Sequence, residues 1–447
     1  MTSTATFTTL RAQAREIFSH ALQEASIPAA FAKHVQASRG VLRVGEDLYG
    51  IDELSRIYAV AMGKAGHTMA KELRQQLGPM VSGVVCAPEP QEALVEGFRY
   101  YHGGHPEPNG ESVKAADAIL KTLHVLSGTS MVIYLISGGA SAMVEKPIDD
   151  EISLDDLIET YRVLVDSEAP ITEVNAIRKH LSAVKGGRMA QAAATHNAKQ
   201  ISILVSDVPE GALDALASGP TMPDPSTEED CYRIAEEYGL IKKFPASVRE
   251  LFERKLLMET PDKDDPLFYA ARWWPILSNI EVVKAAAIKA SAMGFAVEID
   301  NTCDDWEYTQ AADHLLARLR HLRKGASRVC LIAGGKLTVA KPASKGDAGG
   351  VGGRNQQFAL YCASKITSEN ITVLSAGTDG VDGNSPATGA VGDGETTLRH
   401  SALGTGQSIH QALKAFNAYP VFEALGDAIV TGPTGNNVRD LRVLLAY

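Results

Sequence analysis

Apolar residues in this chain gather in short, nearly unbroken runs separated by amphipathic stretches. The runs over 57–62, 81–87, 131–136, 201–205, 328–333, 371–376 and 438–445 have the length of strands buried on both faces. Between them, 10–25, 111–123, 171–194 and 356–364 repeat apolar residues at helical spacing. The pair Gly186-Gly187 weakens or interrupts the third of these helices. The loop SGPTMPDPST at 218–227 is too rich in proline for regular structure. Strands alternating with helices predict a parallel, helix-covered α/β sheet in the first half. A polar, proline-bracketed segment at 258–266, METPDKDDP, divides the chain, giving expected domains at 1–257 and 267–447, and the alternation resumes after it.

Several of these strands end in glycine-rich turns, and such strand ends form the edge at which open α/β sheets bind ligands. The stretch 372–394, TVLSAGTDGVDGNSPATGAVGDG, passes from a strand into a loop holding Asp379, Asp382 and Asp393. Glycine beside acid suits phosphate chemistry, in which metal ions mediate between negative groups. The same composition also makes a solvated turn. Lys64 follows a strand and opens a helix in GKAG, where a flexible cation beside helix N–H groups suits a phosphate or carboxylate. Arg354 lies between the glycine-rich loop 345–355 and a helix start, a position suited to clamping a phosphoryl group. Either cation read alone is equally a surface residue. Asp207 directly follows a buried strand, and Asp379 has the same placement in the second half. Ser137 and Ser141 flank Gly138-Gly139 and suit phosphate contacts; no GxSxG elbow surrounds either, which counts against a nucleophile. The run Arg178-Lys179-His180 near Glu173 is the pattern of a solvated helix face, with substrate binding as the alternative. His102 and His105 flank Gly103-Gly104; without a third ligand nearby, hydrogen-bonded loop histidines outweigh a metal pair. No GxxxxGK[ST] occurs, and no GxGxxG follows a strand, so neither a P-loop nor a nicotinamide-binding unit is supported.

Composition narrows the partners. A chain of 447 residues is long for one core. Its 43 basic and 54 acidic residues leave a formal charge of −11, which argues against nucleic acid or an anionic membrane surface as partner. The cysteines Cys86, Cys231, Cys303, Cys330 and Cys362 are scattered and form no CxxC pair, as expected of reduced thiols in a cytoplasmic protein. No signal-peptide core and no membrane-length apolar stretch is present in the sequence.

Taken in order, the motifs resemble one family. They are AMGKA at 61–65, HGGHP at 102–106, SGGASA at 137–142, NAIRKHLS at 175–182, KGGR at 185–188 and SDVP at 206–209 in the first half. SGPT at 218–221, GRNQ at 353–356, GTDGVDG at 377–383 and TGPTGNNV at 431–438 follow. This set resembles the glycerate 2-kinases, whose C-terminal part is the MOFRL domain. The resemblance implies two α/β domains, an N-terminal Rossmann-like parallel sheet covered by helices and a smaller C-terminal MOFRL domain, with the active site in the cleft between them. It implies ATP-dependent, Mg²⁺-assisted phosphorylation of D-glycerate at its 2-hydroxyl, and it allows a homodimer. The family's catalytic lysine falls on Lys64, its arginine on Arg354 and its acidic loop positions on Asp207 and Asp379. Asp207 is then favoured as base, with Asp379 as base and Asp207 on the metal as the other assignment. Ser137, Gly138, Gly139 and Ser141 become nucleotide or phosphate contacts, and Arg178 and Lys179 substrate contacts. Two features depart from the pattern. Lys336-Leu337 stands where the family commonly has Glu-Thr, and 342–350 replaces a more compact loop. The other functional classes weighed are a hydroxypyruvate reductase, against which the missing dinucleotide fingerprint counts, a kinase of a related sugar acid, and a metabolite-binding protein without turnover.

Overall fold

The computed structural model describes residues 3–88, 90–91, 93–209, 211–339, 350–404 and 406–447. It divides into two compact units, Ala30–Ile276 and Met1–Ala29 with Leu277–Tyr447.

The unit Ala30–Ile276 begins with a small antiparallel sheet of β1 (Val35–Ser38), β2 (Val41–Val44) and β3 (Asp47–Gly50). Its main sheet contains β4 (Arg56–Met62), β5 (Val81–Ala87), β6 (Phe98–His102), β7 (Ser130–Ser137), β8 (Lys199–Val205) and β9 (Arg272–Leu277), in the order β6-β5-β4-β7-β8-β9. The four pairings from β6 through β8 are all parallel. Every residue of β7 is buried, because helices cover both faces; that is why the strand reads as a continuous apolar run rather than an alternating one. Tyr58, Val60 and Met62 of β4 and Val132, Tyr134 and Ile136 of β7 share one core with Ala115, Ile119 and Leu123 of helix Gly110–Leu123. That helix starts at a capping box between Asn109 and Ser112. The chain runs outward from β4 to β6 and then returns to β7, on β4's other side. A topological switch point therefore lies at the carboxyl ends of β4 and β7.

The helix expected over 171–194 is two helices, Ile171–His180 and Arg188–Ala194. Gly186 (φ +54°) and Gly187 (φ +79°) interrupt it in the left-handed region, which glycine enters without a Cβ penalty. A second core, with Leu157, Ile177, Ile234, Phe244 and Phe252, joins helices Leu154–Val165, Ile171–His180, Glu228–Glu237 and Ala246–Glu253.

The other unit is built on a mixed sheet of β10 (Ala296–Ile299), β11 (Val329–Ala333), β12 (Ile371–Gly377), β13 (Gly389–Asp393), β14 (Ala428–Ile429) and β15 (Asp440–Ala446). The strand order is β10-β11-β15-β12-β13-β14, and only β10 and β11 run parallel. Helices Tyr308–Leu322 and Arg354–Lys365 pack their apolar faces on Leu331, Val373 and Leu444. The first helix, Ser3–Glu24, belongs to this unit and packs on helix Asn279–Ala292, where Lys289 meets Glu16 at 2.7 Å; Arg11 pairs with Asp393. The sequence expectation assigns this helix to the first domain instead. Residues 345–349 of the glycine-rich loop, and 342–349 of the noncompact segment, lie outside the described residues. All five cysteines are buried and unbridged, and among the described residues no helix is long and apolar enough to cross a membrane.

Candidate functional site

At the switch point of the parallel sheet, two turns are locked together. Gly63, at φ +104°, lies so close to Ser137 that a Cβ on it would come within 2.4 Å of the serine's carbonyl oxygen. The Ser137 hydroxyl donates to Met62 O at 3.2 Å and accepts from Ala65 N at 3.0 Å, while Lys64 N donates to Gly138 O at 3.0 Å. The backbone of Lys64 is thus fixed while its exposed side chain stands at the carboxyl edge of the sheet. Helix Gly66–Leu77, which follows, has no side-chain cap at its N-terminus. Gly139 adopts φ +88°, and a Cβ there would lie 3.2 Å from the His105 ring. Burial and the neighbouring charge of Lys64 both hold the His105 imidazole below its ordinary pKa. The imidazole is therefore neutral near pH 7 and able both to donate and to accept a hydrogen bond. Ser141 lies in the first turn of the short helix Ala140–Met143. Val205 pairs with Ser137 across β7 and β8, so Asp207, two residues later, extends from the same carboxyl edge and is half-buried. Lys64, Ser137, Gly138, Gly139 and Ser141 are therefore neighbours, with His105 added to them. Among the described residues no three His, Cys, Asp or Glu side chains gather to hold a metal ion.

Arg178 and Lys179 lie on helix Ile171–His180 of this unit, and the run they belong to is not a solvated face. Lys179 is buried, with Nζ 3.1 Å from Asp224 and 3.5 Å from Asp214. His180 is buried and meets Ala176 O at 2.9 Å and Glu259 at 3.1 Å. The Arg178 guanidinium stacks on the Tyr161 ring at 4.9 Å, and its burial lowers its pKa. Tyr161 donates to Glu145 at 2.6 Å, and Glu145 also accepts from Ser182 at 2.5 Å, from Lys146 N at 3.0 Å and from Lys185 Nζ. Both Glu145 and Lys185 are fully buried, and burial lowers the Lys185 pKa to about 7.

In the other unit, three glycine-containing segments meet where helix Arg354–Lys365 begins. A Cβ on Gly380 would meet Gly432 O at 2.0 Å, and one on Gly383 would meet Gly352 O at 2.1 Å, so only glycine permits this approach. Arg354 Nε and Nη2 each bond a different oxygen of Asp440 at 2.6 Å. Burial alone would lower the Arg354 pKa, but Asp440, with Asp382 and Asp379 nearby, raises it above the ordinary value. Asp379 Oδ1 accepts from Val381 N at 3.2 Å. Asp382 is no exposed turn residue. It is buried and accepts from Gln356 N at 2.9 Å and Asn355 N at 3.1 Å, so it caps this helix. Burial pushes its pKa up to about 6 against those N–H bonds. Asp393 is buried as well, bonded to Arg11 and accepting from Glu395 N at 2.9 Å. Lys336 is exposed, and its N–H donates to Asp304 at 2.9 Å.

With this geometry in view, comparison with known proteins becomes specific. The model of a domain of unknown function, DUF4147, matches residues 13–253, and that of the MOFRL family matches 329–440. A protein of Thermotoga maritima named D-glycerate 2-kinase is 35% identical over 407 residues, covering 87% of this chain and 90% of its own. The chain belongs to the glycerate 2-kinase family. A crystal structure of glycerate kinase from Thermotoga maritima matches this member of the family with a TM-score of 0.83 at 32% identity, covering 98% of this chain and all of its own. A third relative, from Agrobacterium vitis, carries the name hydroxypyruvate reductase at 32% identity over 396 residues, covering 87% of each chain. The family's two-part α/β architecture is present here, with the MOFRL region in the mixed-sheet unit.

The residues that sequence reasoning missed are mainly partners. Asp440 and Arg442 stand two apart in an otherwise apolar strand, DLRVLLA, and so share one face of it. Two charges on the same face of a buried strand were the available signal for them. Glu145 has no comparable signal, because its four donors come from three separate segments of the chain.

Proposed function

We propose that the protein transfers the γ-phosphoryl group of ATP to the 2-hydroxyl of D-glycerate, giving 2-phosphoglycerate and ADP. The observation that carries this reading is Lys64, an exposed cation held by its own backbone at the switch point of a parallel sheet, in a chain related over most of its length to a D-glycerate 2-kinase. In this reading Asp207 accepts the proton as the hydroxyl attacks. Lys64 and Arg354 stabilise the charge that develops on the transferring group. Ser137, Gly138, Gly139 and Ser141 line the phosphate-facing turn, and Asp379 supplies a second carboxylate beside Arg354. Lys179 and Arg178, held by Asp224 and by Tyr161, shape the substrate side through fixed charge.

A divalent ion that travels with a nucleotide asks for one or two protein carboxylates, not an all-protein cage. A half-buried aspartate at a strand end, with no three-acid cluster around it among the described residues, fits that requirement. In the other assignment, with Asp379 as the base, Asp207 is the residue that would face Mg²⁺, which when bound would offset negative charge on the phosphate oxygens.

The test is an ATP-consumption screen with D-glycerate and related hydroxy acids, with the product identified by phosphorus NMR. Turnover giving a 2-phosphate supports the reading, and phosphate on the 3-hydroxyl changes the regiochemistry. No turnover with any small hydroxy acid sinks the kinase reading, and NADH oxidation with hydroxypyruvate would replace it with a reductase. Lys64→Ala is expected to lower kcat by roughly 10²–10³ in a folded protein. Loss in Asp379→Asn but not in Asp207→Asn would exchange the two carboxylates' roles.

A further inference from the structure

The mixed-sheet unit holds a second level of organisation behind Arg354. Asp440 and Arg442 are both fully buried, although a sheet interior disfavours charge. Asp440 opens β15, in register with Gly377 at the end of β12, and so lies beside the loop that carries Asp379. Its backbone is held at both polar atoms: Asp440 N donates to Gly335 O at 3.3 Å, and Asn279 Nδ2 donates to Asp440 O at 3.0 Å. Its carboxylate takes the Nε and Nη2 of Arg354, and Arg442 Nη2 approaches the same carboxylate at 3.7 Å. Arg442 in turn donates to Gly334 O at 2.8 Å and Gly335 O at 3.2 Å, and stacks on Phe358 of the helix that Arg354 begins. Arg354 thus ends a chain of contacts that begins at the Gly334-Gly335 turn.

We propose that Asp440, anchored by Arg442, is the positioning residue for Arg354: it occupies the Nε–Nη2 edge of the guanidinium and leaves Nη1 as the only nitrogen offered whole to an anion. The inference rests on the role proposed above for Arg354. Its physical basis is that a bidentate carboxylate fixes the plane and the rotation of a guanidinium, whereas a single hydrogen bond fixes neither. Among the described residues Nη1 has no hydrogen-bond partner. Arg442 also bears on the charge: with Arg354 it offsets two of the three carboxylates, Asp440, Asp382 and Asp379, that surround the guanidinium. An anion such as a nucleotide phosphate is then met by a rigid donor rather than by a mobile side chain.

The test is a double-mutant cycle on the full chain, reading kcat and KM for ATP and for the hydroxy acid separately. Asp440→Asn is expected to lower kcat at least tenfold with little change in KM for the acid. On an Arg354→Ala background the same substitution is expected to add less than threefold, because its only route to the reaction has been removed. Near-wild-type kcat in Asp440→Asn, or a loss that adds fully to that of Arg354→Ala, overturns the proposal. If Asp440→Asn does not fold, Arg354→Lys decides the matter, since lysine keeps the charge but cannot be forked. Its kcat is expected to fall nearly as far as that of Arg354→Ala, and wild-type kcat in Arg354→Lys overturns the proposal. Full activity in Arg354→Ala would instead defeat the underlying assignment of Arg354, a distinct outcome.

Discussion

Replacing Lys185 with methionine isolates the energetics of the buried pair it forms with Glu145. Methionine has nearly the same length and fills the same space, so the packing around the helix junction is kept. The charge on Glu145 then has no counter-ion and no route to water. Breaking a buried pair from one side typically costs about 3–5 kcal/mol. Here Glu145 keeps three donors, from Tyr161, Ser182 and Lys146 N, so the low end, about 3 kcal/mol, is expected. For a unit of this size that corresponds to a fall in Tm of roughly 6–12 °C. The double variant Lys185→Met, Glu145→Gln removes both charges and should recover most of the loss, because it is the lone charge, not the missing attraction, that costs. The assay is urea and thermal unfolding followed by fluorescence of Trp273 and Trp274, both of which lie in β9. A single variant within 1 kcal/mol of the parent would show that the pair shares its proton as a neutral lysine and carboxylic acid. Burial, which draws Lys185 down to about pKa 7, favours that neutral form, whereas four donors around Glu145 favour the charged one. The geometry leads us to expect the charged pair.

Other expectations follow from the same structure. Lys64→Met should raise the His105 pKa, since burial would still hold it down but the neighbouring charge would be gone; a histidine NMR titration with the pKa unmoved or lower would refute their proximity. Gly139→Ala should cost about 1–2 kcal/mol, because alanine at φ +88° is strained, and its methyl should displace His105 and lower turnover. Unchanged Tm and unchanged kcat would show that the turn relaxes freely. Asp382 is held at about 6, above the ordinary carboxylate range, so the folded unit keeps its proton where the unfolded chain has lost it. Stability should therefore fall as pH rises from about 4 to about 6, by up to ~3 kcal/mol, and Asp382→Asn should flatten that slope. A variant with the parent's pH dependence in chemical denaturation would assign the effect elsewhere.

What the sequence discloses and what it hides differ in physical kind. Buried parallel strands announce themselves, because a strand covered on both faces must be apolar at every position, as in β7. Glycine turns are equally legible, since Gly63 and Gly139 adopt backbone conformations that other residues resist. The neighbourhood of Lys64 with Ser137 through Ser141 therefore followed once strand order placed two such turns side by side. The basic run at 178–180 misled, because charge by itself does not reveal whether a carboxylate waits inside; Asp224 comes from a loop 45 residues away from Lys179. The capping role of Asp382 is hidden for the opposite reason. A turn-rich motif reads as solvated until the helix it caps is folded against it, and that helix lies earlier in the chain. The antiparallel run of most of the second sheet was equally invisible, since strand direction is set by connections and not by the strands' own composition.

The position of β15 carries a consequence for how this molecule comes into being. In chain order it follows every other strand of its sheet, yet it lies between β11 and β12 and pairs with both. During synthesis the neighbours on each side must wait with open edges, while Ala30–Ile276 is a continuous segment able to close its own core earlier. The strand that finally joins those edges also brings Asp440 to Arg354. Completion of the sheet and fixing of the Arg354 guanidinium are therefore one event. A chain interrupted before β15 would carry Lys64 on a finished sheet and an Arg354 without the carboxylate that fixes its plane.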